Sequence, residues 1–175
     1  MSSIWAQTTE IQARPSLVGN ITADVLVIGG GMCGILIARR LKEAGVRPIV
    51  VEAKTIGSGI TKNTTAKITA QHGLIYADLI KRGGIERAKQ YYEANAQAIL
   101  RYQALSEQFS CDFEAQTAYI YSKDDRRKLE REAEAYHKLG IAPKIDENPP
   151  LPFNTAGALG MEGQAQFHPL KLLCA

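Results

Sequence analysis

Three glycines, one acid and a run of small hydroxyls are the residues whose types and spacing could do chemistry here. Gly29-Gly30-Gly31-Met32-Cys33-Gly34 has the form G-x-G-x-x-G at Gly29, Gly31 and Gly34. Gly29 allows a tight turn off a strand. Gly31, without a Cβ, lets a pyrophosphate approach the backbone, and Gly34 lets the next helix pack close to the sheet. The unpaired N–H groups at that helix start, and its dipole, favour an anion. No acid in the first turn competes with it. Glu52 closes the following apolar run at the spacing of about 20 residues expected of a ribose-binding acid. A carboxylate there accepts hydrogen bonds from both hydroxyls of an adenosine ribose and repels a 2′-phosphate, which argues against NADP. The bland alternatives are a glycine-rich turn without a ligand and a surface acid pairing with Lys54. The strand, turn, helix and second strand around these residues favour the dinucleotide.

The segment Gly57-Ser58-Gly59-Ile60-Thr61-Lys62-Asn63-Thr64-Thr65-Ala66-Lys67 supplies hydroxyls and flexible amides. Such a loop can follow a long cofactor from its pyrophosphate toward an isoalloxazine, which separates FAD from NAD. By composition alone it is equally a solvated loop. Three further residues invite a functional reading. His72 follows the loop, and a lone His is more often structural. His168 precedes Pro169 and reads as a turn residue. Asn95 lies in an apolar helical stripe and reads as bonding a neighbouring backbone, since a buried amide needs partners. No catalytic residue is nominated.

The elements that must position these groups follow from periodicity. Asp24 to Ile28 is an apolar run ending in glycines and reads as a buried parallel strand. Residues 32–44 read as a helix with Ile35, Ala38 and Leu41 on one face and Gly45 as its stop. Val46 to Val51 is a second strand, completing a βαβ unit. Tyr76 to Arg82 reads as a short helix broken by Gly83-Gly84. Ile85 to Phe109 reads as a long one, with Ile85, Ala88, Tyr92, Asn95, Ile99 and Tyr102 as its stripe. Phe113 to Tyr121 alternates as a strand. Ser122 to Asp125 resembles a capping box, opening a helix that ends at Gly140. Ala156 to Met161 reads as a last strand, and Leu170 onward as the start of a helix. The expected organisation is a lead-in over 1–23 without clear period, an FAD-binding βαβ and flavin loop over 24–75, and a helix-rich α+β portion over 76–175. The fold class is α/β, with a Rossmann-type βαβ unit and an incomplete sheet.

The 175 residues suffice for one domain of ordinary size, with 45% hydrophobic and 22% charged residues. That balance is typical of a globular chain. The net charge is +3, and the two signs are interleaved, as in Asp124-Asp125-Arg126-Arg127-Lys128. Nucleic-acid binding would need a concentrated basic face. Cys33, Cys111 and Cys174 are far apart and lack metal-ligand spacing, so they read as free thiols in a reducing compartment, with no metal site. Neither a secretory signal nor an apolar run of the roughly 18 residues a membrane helix needs is visible. The expected setting is cytoplasmic, without a membrane or nucleic-acid partner.

The run from Gly29 to Glu52, with Gly57-Ser58-Gly59 and Thr61-x-x-Thr64-Thr65-Ala66-Lys67, resembles the D-amino-acid-oxidase-like superfamily of FAD enzymes, which includes glycine, sarcosine and gamma-glutamylputrescine oxidases. A closer resemblance is to bacterial FAD-dependent oxidoreductases with a C-terminal Rieske iron–sulfur domain. It is carried by Ser3-Ile4-Trp5, Gln71 to Tyr76, Glu93-Ala94-Asn95, Cys111-Asp112-Phe113 and Gln164 to Pro169. The resemblance implies a pyrophosphate lined by Gly29, Gly31, Met32, Cys33 and Gly34, and an adenosine ribose on Glu52. Thr61, Asn63, Thr64 and Thr65 would follow the ribityl chain. It implies FAD as cofactor and oxidation of a small amine or amino acid by hydride transfer. Members of that family are much longer, and no Rieske ligands are present here. The chain therefore reads as an N-terminal part. A second chain completing the fold and an inactive truncated fragment are the alternatives, and an NAD-binding dehydrogenase module is a third.

Overall fold

The computed structural model describes residues 3–175, which divide into two compact units. The first comprises the residues up to Ala66, Phe109–Asp112 and His168–Ala175; the second comprises Lys67–Gln108 and Phe113–Phe167.

The first unit is built on the βαβ element. β1 (Val25–Ile28) pairs in parallel with β2 (Pro48–Val51), with Val25 opposite Pro48 and Ile28 opposite Val51. α2 (Met32–Glu43) connects them; basic Arg40 and Lys42 in its last turn suit the negative end of the helix dipole. The sheet has two strands, so the expectation of an incomplete sheet holds. β1 buries Val27 and leaves Leu26 and Ile28 exposed, the latter at 80%. Parallel strands normally bury both faces. The lead-in is not without structure: α1 (Ile4–Thr8) is capped by the Ser3 hydroxyl, which accepts from the Ala6 N–H. Five residues are too few to show a period. α3 (Ile60–Asn63) interrupts the polar loop, and α6 (Pro169–Cys174) forms where a helix start was expected.

The second unit is an antiparallel sheet around β6 (Gly157–Gln166), which pairs with β3 (Lys67–Ile68), β4 (Glu114–Ser122) and β5 (Lys144–Asp146). β6 runs well past the expected Met161. Gln116 pairs with Gln164 but Ala118 with Met161, so β6 holds one extra residue, and Gly163 at φ 71 accommodates the bulge. α4 (Tyr76–Gln108) breaks where the paired glycines predict, with Gly84 at φ 81 and ψ 168. Along its stripe Ala88 and Ile99 are buried and Ile85 is exposed. Asn95 donates to the Tyr91 carbonyl one turn back, as expected. α5 (Arg126–Lys138) starts later than the capping box implies. The Ser122 hydroxyl accepts from the Asp125 N–H at 3.2 Å, but the helix begins at Arg126.

One buried acid joins these helices. Glu132 on α5 is 1% exposed. Its two oxygens accept from the N–H groups of Tyr76 at 2.7 Å and Ala77 at 2.9 Å, capping α4 from 55 residues away. Beside it Tyr76 donates to the Ala70 carbonyl, and Gln71 donates to the Tyr136 hydroxyl and the Leu159 carbonyl. Every buried side-chain polar atom among the described residues has a partner. Glu132→Ala strands two N–H groups at the start of α4. It is expected to cost about 2–4 kcal/mol and to lower Tm by roughly 5 °C or more in a thermal melt. A melt unchanged within error would show that α4 does not depend on this cap.

Candidate functional site

The first unit gathers the glycine turn, Glu52 and the polar loop. Gly29 leaves β1 at φ 108, a conformation that favours glycine, and its N–H donates to the Val51 carbonyl at 2.7 Å. Gly31 is the N-cap of α2 in extended backbone and supplies no capping side chain. A Cβ built on Gly29 meets nothing within 4 Å, and one on Gly31 meets Thr61 Oγ1 at 3.4 Å. The backbone at these two positions is therefore open to a ligand. Gly34 is the opposite case. A Cβ there would collide with the Gly29 carbonyl oxygen, and it would lie 3.4 Å from Val27 Cγ1. Gly34 thus holds the helix against the strand, as its spacing predicts.

Glu52 is drawn to the turn by backbone. Its Oε2 accepts from the Gly30 N–H at 2.8 Å and its Oε1 from the Lys54 N–H at 3.0 Å. These bonds, the one from Gly30 foremost, hold the carboxyl below its ordinary range. It binds the backbone of Lys54 rather than the ammonium. The side chain is exposed, so lone pairs face outward beside the glycine turn.

Thr61 lies at the same turn. It is buried, and its hydroxyl accepts from the Met32 N–H at 3.1 Å. Gly57 ties the loop to the turn by donating to the Gly30 carbonyl at 2.9 Å. Asn63 spends its amide on the Gly59 carbonyl, and the Thr64 hydroxyl accepts from the Ala66 N–H. Thr65 and Cys33 are exposed. The start of α2 thus presents the Cβ-free backbone of Gly31, no acid in its first turn, and a neutral hydroxyl, that of Thr61, as its side-chain cap. That arrangement fits a pyrophosphate.

Two residues at the site were not legible as such. The Trp5 indole N–H donates to the Thr64 carbonyl at 2.8 Å, across 59 residues. His168 is an N-cap rather than a simple turn residue: its Nδ1 accepts from the Lys171 N–H at 3.2 Å. The usable signals were the Ser3-Ile4-Trp5 and Gln164 to Pro169 likenesses, which gave no contact.

In the second unit, His72 is exposed and its Nδ1 lies 2.7 Å from the Tyr91 hydroxyl. A cleft of ≈ 390 Å³ opens on the sheet, lined by Lys67, Thr69, Gln116, Tyr119, Gln166 and their neighbours. Lys67 pairs across the strands with Gln166, and Gln166 with Glu114. Directly paired residues share a face. A cation, an amide and an anion therefore stand in one row, the amide of Gln166 donating to Glu114 at 2.7 Å. Among the described residues no group of three His, Cys, Asp or Glu could hold a metal, and no helix is long and apolar enough to cross a membrane.

A family profile described as FAD dependent oxidoreductase matches residues 24–175. The chain is 39% identical over 175 residues to the Rieske 2Fe-2S iron–sulfur protein YhfW of Bacillus subtilis (strain 168), covering 98% of this chain and 34% of that protein. It is 27% identical over 124 residues to gamma-glutamylputrescine oxidoreductase of Escherichia coli (strain K12), covering 69% of this chain and 29% of the relative. Glycine oxidase from Geobacillus kaustophilus superposes with a TM-score of 0.64 at 20% identity, over 86% of this chain and 42% of that one. The last likeness is one of fold. The chain spans about a third of the length of the curated relatives it matches.

The two glycines predict opposite outcomes. Gly34→Ala forces α2 away from β1, with a loss of about 2 kcal/mol or more. Gly31→Ala adds a Cβ in ordinary contact and leaves stability nearly unchanged. Chemical denaturation of both variants checks this; equal stabilities would overturn the assignment of Gly34 to packing and Gly31 to the ligand.

Proposed function

The chain belongs to the FAD-dependent oxidoreductase family, and from that premise we propose that it supplies the FAD-binding part of an enzyme that oxidises an amine or amino acid. The observation that carries this reading is the open backbone at Gly29 and Gly31 beside a Glu52 carboxylate already oriented by Gly30. Gly29, Gly31, Met32 and Cys33 line the pyrophosphate, Gly34, also expected there, instead holds α2 against β1, and the outward lone pairs of Glu52 take the adenosine ribose. Thr61 holds the turn and the loop together, and Thr61, Asn63, Thr64 and Thr65 border the ribityl side. The chemistry that bound FAD supplies is acceptance of a hydride from the carbon next to an amine nitrogen.

The substrate class rests on two supports. One relative is named for an amine-bearing substrate, gamma-glutamylputrescine. The row Lys67, Gln166 and Glu114 offers a cation, an amide and an anion to a small ligand carrying both charges. Unpaired cysteines agree with a reducing, cytoplasmic setting.

Exposed Leu26 and Ile28 call for further polypeptide over that face of β1, from the same protein or from a second chain. An isoalloxazine ring likewise needs walls beyond the glycine turn. The 175 residues by themselves are thus expected to bind FAD weakly and to show no turnover. Expression of residues 1–175, followed by flavin quantitation and an amine-dependent dye assay, tests this. Stoichiometric flavin with turnover from a monodisperse monomer would refute it.

In the longer protein, denaturation is expected to release FAD, identified by chromatography. Release of NAD instead would overturn the cofactor reading. Gly31→Val should abolish flavin retention with little change in melting, because its methyl groups occupy the place of the pyrophosphate. Glu52→Ala should weaken FAD by about tenfold, the scale of lost bonds to a charged acceptor. Apoprotein titration checks both, and an unchanged dissociation constant would return Glu52 to the role of a surface acid.

A further inference from the structure

The polar loop is held from two sides. On one side Thr61 and Gly57 bond the glycine turn. On the other side the Thr64 carbonyl accepts from Trp5, which stands on α1. What fixes α1 is a histidine. The Trp5 ring meets His168 edge-on, with centroids 5.0 Å apart. His168 Nε2 lies 2.9 Å from Thr8 Oγ1 and 3.2 Å from Thr9 Oγ1. His168 is 4% exposed, and its backbone N–H donates to the Cys111 carbonyl at 2.7 Å.

The tautomer follows from both ends of the ring. Nδ1 accepts from the Lys171 N–H, so it carries a lone pair. The Thr8 hydroxyl donates its single proton to the Ile4 carbonyl at 2.7 Å, so toward His168 it accepts. Nε2 therefore carries the proton and donates it. A relay runs from the α6 backbone through a neutral imidazole to the α1 backbone. Protonation of Nδ1 would set an N–H against the Lys171 N–H and break the relay at its first bond.

We propose that α1 and His168 form a strap that holds the Thr61–Thr64 loop against the glycine turn, and that protonation of the His168 ring releases it. The proposal rests on the FAD reading above, whose loop it regulates. The surroundings agree with a neutral resting ring. Burial, and then the Lys171 ammonium, lower the affinity of the ring for a proton, and Asp112 opposes them. Lys171 and Asp112 pair with each other at 2.7 Å. α1 faces the ring with Trp5 and Thr8, and its C-cap with Thr9, all uncharged. The neighbouring contact is close as well: a Cβ on Gly57 would lie 2.8 Å from Ile11 Cδ1, 3.1 Å from Leu173 Cδ1 and 3.2 Å from Leu170 Cδ2. Loop, α6 and the chain after α1 thus meet at one point.

The sign follows directly. The folded ring binds its proton less readily than the unfolded one, whose ordinary value is about 6.5. The strap is therefore fully present above that value and is lost as pH falls through the lowered folded value. Trp5 is the single tryptophan of the chain, so it reports the strap by its own fluorescence. In the 175-residue chain, Trp5 emission is expected to hold steady above pH of about 6.5 and to change as pH falls below it. His168→Asn keeps a capping oxygen that does not titrate, so its emission is expected to stay flat over the same range. At neutral pH, Trp5→Phe and Thr8→Val should each weaken FAD by about two- to tenfold, the scale of one lost hydrogen bond, with melting curves recorded alongside. Flat emission in the unaltered chain overturns the release. FAD affinity unchanged in both variants overturns the strap and leaves the cofactor reading standing. Failure of the unaltered chain and of the longer protein to bind FAD overturns the cofactor reading itself, and with it the role assigned to the strap.

Discussion

The first unit depends on one approach of backbone to backbone, Gly34 of α2 over the carbonyl of Gly29. Any side chain at Gly34 would enter that carbonyl, so the contact exists only because a hydrogen replaces a methyl. The positive φ of Gly29 turns the chain off β1 at that point. The approach places the positive end of the helix dipole beside the strand terminus, where Glu52 is also anchored through Gly30. Turn, helix start and acid are thus one group, tied by the backbone approach at Gly34 and by the bonds that the Glu52 and Thr61 side chains accept from main-chain N–H groups.

The same region shows how a binding turn is kept ordered. Helix starts leave N–H groups without intrahelical acceptors. Here a hydroxyl, that of Thr61, takes the one on Met32. A carboxylate in that place would satisfy the donor more strongly but would repel an anion. A neutral cap fixes the geometry and leaves the dipole uncompensated. Negative charge enters only through Glu52, which sits at the strand end and is bound by Gly30 and Lys54.

The second unit uses the other solution. Glu132 brings a carboxyl group into the core and spends both of its oxygens on the first N–H groups of α4. Burial of an acid is costly unless it is fully hydrogen-bonded. Two backbone donors at a helix N-terminus supply both bonds and a favourable dipole. Tyr76, Tyr136 and Gln71 close the surrounding network, so the segment from Ala70 to Ala77 is held through polar groups as well as by packing.

What was legible in the sequence was local. The apolar runs at Val25 and Pro48, the glycine spacing between them and the periodic stripe of α4 each report their own element. The Gly83-Gly84 break appears at the glycines because a backbone at φ 81 needs one. The family likeness was legible too, since it rests on short motifs. Tertiary structure alone decided the rest, because it depends on partners far along the chain. β5 is three residues long and exists by pairing with β6. The bulge at Gly163 shows only when β4 lies beside it. Phe109–Asp112 and His168–Ala175 join the first unit, although the residues on either side of the short segment belong to the second. His168 looks like a turn residue until α1, more than 150 residues away, supplies a hydroxyl to its ring. A sequence shows which residues favour a turn, a helix or a strand. It does not show which distant acceptor a buried donor will find, and that pairing fixed the cap of α4 and the position of the loop.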